Sequence, residues 1–97
     1  MEKLTNNQLQ DFLKTHPKWV FENNKITRNI TFKDFKTAFT AMTAMAFEAE
    51  AISHHPEWTN VYKSLQICLT THDTGNTVTT KDIDLAKRIE QIVSIFE

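Results

Sequence analysis

Three candidate helix starts share one pattern, a threonine three residues ahead of a Gln or Asp: Thr5 with Gln8, Thr31 with Asp34, and Thr79 with Asp82. A threonine hydroxyl that accepts from a backbone N–H in the first turn, answered by a side chain that accepts from the threonine's own N–H, closes a helix start from both sides. Leu4 with Leu9, Ile30 with Phe35 and Val78 with Ile83 add an apolar staple across each start. Three marked helix starts leave only the intervals between them for other structure, and so fix the order of elements.

The first helix carries Phe12 and Leu13 on its apolar stripe and stops at "THP", His16 and Pro17. The second is predicted over residues 32–53. Phe32, Phe35, Phe39, Met42, Ala46 and Ala49 recur at helical spacing as its buried face, and Ala38, Met45 and Ile52 form a second stripe beside it. The third runs Ile83, Ala86, Ile89, Val93, with Leu85, Ile92 and Phe96 alongside. One sheet does not use that much apolar width, so part of the second or third helix is expected to face another subunit.

Between the helices lie two pairs of strand-like segments. "WVFE" and "KITRNI" flank Asn23 and Asn24, residues that tolerate positive φ in a tight hairpin. "WTNVY" precedes "SLQICLTT", in which Leu65, Ile67 and Leu69 alternate with Gln66, Cys68 and Thr70. The expected fold is α+β, a single domain over residues 1–97. Its order is helix-strand-strand-helix-strand-strand-helix, with a four-stranded antiparallel sheet and the helices on one face.

At 97 residues the chain has room for one core and gains from oligomerisation. Eleven Lys and Arg balance twelve Asp and Glu with no basic stripe, which argues against direct nucleic-acid binding. Cys68 has no partner for an intrachain disulfide, and "MEKLTNNQLQ" has neither the basic start nor the apolar run of a secretory signal. The longest apolar run, residues 44–47, falls far short of the roughly 20 residues of a membrane span. A cytoplasmic setting without membrane contact is expected.

The chemistry gathers around histidine. His54 and His55 follow the second helix in "ISHHPEW", and His72 follows the last strand in "CLTTHDTGN". Imidazole, with an ordinary pKa near 6.5, gives or takes a proton at neutral pH and contributes about a hundred- to ten-thousand-fold as general acid or base. His72 shares the parity of Gln66, Cys68 and Thr70 and is expected at a strand end, open to a cleft. Pro56 stops the helix and stiffens the corner that aims His54 and His55. Alternatively, "HHP" is a helix C-terminal signal that places cationic side chains at the negative end of the dipole. A metal site of the three histidines and Asp73 is disfavoured, because adjacent histidines rarely share one ion and helical pairs use a spacing of three or four. His16 reads as a surface residue.

The series Glu50, His54, His55, Pro56, Tyr62, His72 and Asp82, within "HHPEWTNVY", "THDTG" and "KDIDLAKRIE", resembles the pterin-4a-carbinolamine dehydratases over most of residues 19–97. That resemblance implies a lyase dehydrating 4a-hydroxytetrahydrobiopterin to the quinonoid dihydropterin, without cofactor or metal. It implies recycling of tetrahydrobiopterin alongside an aromatic amino-acid hydroxylase. It also implies His54 and His72 as acid and base, in either order, and His55 as the group that binds and polarises the pterin.

Backbone groups of Thr71, Asp73 and Thr74 would meet the amide-like edge of the pterin, and Pro56 and Trp19 would wall the pocket. Trp58 reads as core. Glu50, four residues before His54, is spaced to orient that ring or else stands as an exposed acid. Asp82 reads as the third residue of a capped helix rather than as catalytic. The turn "DTGNTVTTKD" is one residue longer than in the family, with Asn76 or Thr77 where a second Gly is usual. A homodimer or homotetramer is expected. The alternatives are a dimerisation cofactor that binds a transcription factor through a helix surface, and a dehydratase of another pterin, including one in molybdenum-cofactor metabolism.

Overall fold

The computed structural model describes residues 3–96. The element order matches the expectation: α1 (Asn6–Thr15), β1 (Trp19–Glu22), β2 (Lys25–Thr31), α2 (Phe35–Ala51), β3 (Glu57–Val61), β4 (Ser64–Leu69), a 3-10 turn at His72–Thr74, and α3 (Thr80–Phe96). α1 opens with the reciprocal bonds its sequence predicts, Gln8 N–H to Thr5 Oγ1 at 3.1 Å and Thr5 N–H to Gln8 Oε1 at 2.9 Å. It ends at His16, whose ring stacks on Phe12 with centroids 4.4 Å apart. Asn23 and Asn24 turn the first hairpin with φ of 53° and 60°, the left-handed pair that matches strand twist in a two-residue loop.

The sheet order is β1-β2-β4-β3, antiparallel throughout. Leu65, Ile67 and Leu69 of β4 and Ile26 and Ile30 of β2 are buried, together with Trp19 of β1. They form the floor on which the helices lie, and α2 packs against both α3 and β4. The opposite face carries Asn29, Thr31, Glu57, Thr59, Val61, Ser64 and Gln66, all exposed, so the alternation of β4 is the two-sided environment its sequence describes.

α2 departs from expectation in its start and in its face. Thr31 is not a cap but the last residue of β2, opposite Ser64, and Phe32 N–H extends the ladder to Lys63 O at 2.9 Å. A neighbouring strand that satisfies the backbone holds these residues extended. Asp34 takes the cap instead, Oδ1 accepting from Thr37 N–H at 2.8 Å. Ile30 then lies in the core while Phe35 stays 48% exposed, so they form no staple.

The two stripes are largely exchanged, although Phe32 and Ala49 of the expected face are buried and Met42 packs against the core. Ala38, Ala41, Met45 and Ala49 are buried, whereas Phe39 and Phe47 are 56% and 73% exposed, and Ala46 is exposed too. Small residues let the helix axis approach α3 and the sheet closely, and large rings on that face would hold it off. The aromatic stripe therefore points outward, with Phe35 and Phe39 in contact at 5.9 Å between ring centroids.

The hydrogen bonds of Thr37, from its side chain and then its backbone N–H, hold the Asp34 carboxyl below the usual carboxylate range. A depressed folded-state value means that this stabilisation is complete above the ordinary aspartate value of about 3.9 and is lost as pH falls through the lowered one. Asp34→Ala is expected to lower the melting temperature at neutral pH. In circular dichroism melts, the gap from the parent should close as the pH falls below the ordinary aspartate value and through the lowered one.

Candidate functional site

His54 is placed by the way α2 ends. Ser53 has φ of 53°; its N–H meets Glu50 O at 3.1 Å, and the His54 N–H meets Ala49 O at 3.0 Å. These are the two bonds of a Schellman cap, with serine in the left-handed position where glycine is usual. The reversal turns His54 under the helix, its side chain 10% exposed, and leaves His55 outside at 66%. The half-buried Pro56 then leads into β3.

Under the helix His54 meets Asp82, with Nε2 2.5 Å from Oδ1. Asp82 is fully buried, and its other oxygen accepts from Thr71 Oγ1–H at 2.8 Å and from Thr79 N–H at 2.9 Å. Because Thr71 spends its hydrogen on Asp82, Thr79 must donate across the 2.7 Å contact between the two hydroxyls. Thr79 Oγ1 in turn accepts from Lys81 N–H at 3.3 Å. A carboxylate oxygen only accepts, so Nε2 of His54 carries a hydrogen. Among the described residues no buried side-chain nitrogen or oxygen lacks a partner, and Nδ1 of His54 is bonded to none of those residues, which makes it the ring nitrogen that reaches the surface.

His72 stands in the 3-10 turn rather than at the end of a strand. β4 stops at Leu69, and Thr70 turns inward to donate to Asn24 O at 2.9 Å. Thr71 and Thr77 then form an isolated bridge, and the loop closes through Gly75 and Asn76, with φ of 83° and 58°. His72 still lies on the expected side of the sheet: its Nε2 is 3.7 Å from Oε1 of Glu57, the cross-strand partner of Cys68. Its Nδ1 donates to Asn76 Oδ1 at 2.7 Å.

The two histidine segments are thus joined twice. Asp82 holds His54 with one oxygen and Thr71, the neighbour of His72, with the other. Glu57, two residues beyond His55, reaches His72 directly. A buried imidazole with an open nitrogen and an exposed imidazole on a segment tied to it can take a proton at one point and deliver one at another.

The remaining sequence candidates separate. Glu50 does not orient His54. It bonds His55 Nε2 at 2.7 Å, because the left-handed residue at Ser53 breaks the helical register that would have brought Glu50 to His54. Thr71 has no backbone group to offer a ligand, since its N–H and C=O bond to Thr77 at 2.9 and 3.3 Å and its side chain is committed to Asp82. Asp73 is exposed, and Thr74 donates back to Thr71 O at 3.3 Å.

Trp19 is 2% exposed on the far edge strand, its indole donating to Glu90 Oε1 at 2.9 Å. The structure does not bring it to the histidines. It borders a separate cleft of about 180 Å3 with His16, Lys18, Arg28 and Glu90. That hollow and the chemistry do not coincide, for Glu90 is already taken by Arg28 at 2.7 Å and by Trp19. Trp58 packs against the core as expected. Among the described residues no three of His, Cys, Asp and Glu converge as a metal would require. Asp82 is the residue whose part sequence reasoning missed. Its place in the series beside the histidines was the available signal, masked by a sufficient explanation as a cap.

Residues 2–92 match the protein family described as Pterin 4 alpha carbinolamine dehydratase. A protein of Christiangramia forsetii, provisionally named pterin-4-alpha-carbinolamine dehydratase, is 48% identical over 93 residues, covering 96% of this chain and 95% of the relative. One from Prochlorococcus marinus, under the same provisional name, is 41% identical over 88 residues, covering 91% and 92%. A crystal structure described as a transcriptional coactivator/pterin dehydratase from Brucella melitensis superposes with a TM-score of 0.88 at 38% identity, covering 94% of this chain and 98% of that one.

Asp82→Ala removes the acceptor of three buried donors and is expected to cost about 3–5 kcal/mol, read as a lower urea midpoint. Asp82→Asn, closer in shape, should cost less and change the ratio of His54 tautomers in imidazole 15N spectra. Thr71→Val should leave that ratio nearly unchanged.

Proposed function

The chain belongs to the pterin 4 alpha carbinolamine dehydratase family, and we propose that it is a lyase that removes water from 4a-hydroxytetrahydrobiopterin to give the quinonoid dihydropterin. The observation that supports this reading is the Asp82 carboxylate shared between His54 and the residue next to His72, which ties the two histidine-bearing segments to one buried group. In the reaction the C4a–O bond breaks with its electron pair, the departing oxygen takes a proton and leaves as water, and N5 gives up its hydrogen as the C4a=N5 bond forms. One base and one acid suffice.

The hydrogen bonding supports a division of labour. His54, its Nε2–H held by Asp82, offers the lone pair of Nδ1 as the base for N5–H. His72 donates from Nδ1 to Asn76 Oδ1, which leaves Nε2 as the nitrogen that can carry the acid's proton. Its Nε2 lies 3.7 Å from Glu57, too far for a hydrogen bond, so that N–H is free to turn to the leaving oxygen. Exposed His55, steadied by Glu50, binds and polarises the pterin. Pro56, exposed Asp73 and half-buried Thr74 line the pterin site on this reading, whereas Trp19 and Thr71 act through the core.

The activity would support tetrahydrobiopterin recycling beside an aromatic amino-acid hydroxylase in the cytoplasm. A free thiol at Cys68 suits that compartment, and among the described residues no helix is long and apolar enough to cross a membrane. Purified protein mixed with freshly generated 4a-hydroxytetrahydropterin should accelerate dehydration, followed by ultraviolet absorbance. His54→Ala and His72→Ala should each lower kcat by about a hundred-fold or more, and His55→Ala should mainly raise KM. No acceleration by folded protein would overturn the reading for this substrate.

The outward aromatic stripe of α2 supports self-association as a homo-oligomer, one copy's Phe35, Phe39 and Phe47 covering another's across a two-fold axis. Sedimentation velocity should find an oligomer in the parent and a monomer in Phe39→Glu. A monomeric parent would instead leave that stripe for a different protein, the arrangement a dimerisation cofactor needs.

A further inference from the structure

His72 is held by more than the acid–base reading requires. We propose that Asn76, Glu57 and Lys25 form a frame that fixes the orientation and charge of His72, with Asn76 and Glu57 as positioning residues and Lys25 as the opposing charge; this rests on His72 being the catalytic acid.

Asn76 Oδ1 accepts from Nδ1–H at 2.7 Å, while the backbone of the same residue takes φ of 58°, which asparagine tolerates better than most side chains. A glycine there would turn the loop but leave the ring unheld. On the other side of the ring Glu57 divides its carboxylate, Oε1 3.7 Å from His72 Nε2 and Oε2 2.9 Å from Lys25 Nζ. Glu57 opens β3, and Lys25 opens β2 one residue before Ile26, the partner of Leu69. The sheet therefore brings both charges to the end of β4 from which His72 departs. The hydrogen bond to Glu57 raises the Lys25 pKa above its ordinary value, so the ammonium stays charged wherever a histidine titrates. Asp73 follows His72 in the turn, and Cys68 is the residue paired with Glu57 on β4.

The two charges pull His72 in opposite directions: Glu57 favours the imidazolium and Lys25 disfavours it. Yet Glu57 and Lys25 make one ion pair, so a purely structural role would make their removal equivalent. That difference in sign is the test. The His72 titration midpoint is read from imidazole NMR in the parent, Glu57→Gln and Lys25→Met, beside the pH dependence of kcat. For groups this exposed, shifts of about half a pH unit are expected, downward in Glu57→Gln and upward in Lys25→Met. Because the acid must be protonated, the alkaline limb of kcat should move the same way.

Asn76→Gly should lower kcat several-fold with little change in KM, and Asn76→Asp, which keeps the acceptor, should recover most of it. Midpoints that move together, or not at all, while His72→Ala still abolishes turnover would overturn the frame. If instead His72→Ala turns over like the parent, the catalytic reading fails, and the NMR midpoints judge the frame alone.

Discussion

The architecture turns on a carboxylate with no water to share its charge. Asp82 is wholly buried, and a buried anion is tolerable only when its lone pairs are filled by donors aimed at it. Here the donors come from three parts of the chain: an imidazole from the corner after α2, a hydroxyl from the segment after β4, and the backbone N–H at the start of α3. One side chain therefore caps a helix, pins two loops and selects a tautomer. These roles are not separable, since an acceptor turned toward any one donor must stay within reach of the others. The hydroxyl chain from Lys81 N–H through Thr79 to Thr71 extends the constraint, leaving no hydrogen on that side of the site free to rearrange.

Much of this was legible in the sequence. Alternation in "SLQICLTT" identified the buried face of β4, Asn23 and Asn24 identified a left-handed hairpin, and the pairing of Thr5 with Gln8 is present bond for bond. Such features are local: a few neighbouring residues determine them, and distant contacts only ratify the choice. The histidines stood out in the sequence because little else in the chain titrates near neutrality.

What the sequence hid depends on partners. Thr31 followed by Asp34 offers two caps, and only the presence of Ser64 and Lys63 across the ladder decides against the first. The periodicity of α2 contains an alanine-rich stripe and a phenylalanine-rich one, and hydrophobicity alone favours the larger rings for the core. Close approach to α3 favours the smaller, which no single helix reveals. Glu50 and His54 sit at helical spacing, yet Ser53 at φ of 53° ends the register between them. Asp82 was hidden differently, behind a correct but incomplete account: the cap exists, and the same oxygen that closes it also receives Thr71.

The contact between His54 and Asp82 spans 28 residues and joins the middle of the chain to its last helix. A site built this way cannot be assembled piecemeal during folding. Until α3 docks, His54 has no fixed tautomer and Thr71 has no anchor beneath the turn, so an intermediate with the sheet and α2 in place would hold the histidines without their arrangement. Opening of α3 alone, far short of global unfolding, would dissolve the site. On the proposed reading of these histidines, catalytic competence is then a gauge of whether the final helix is seated.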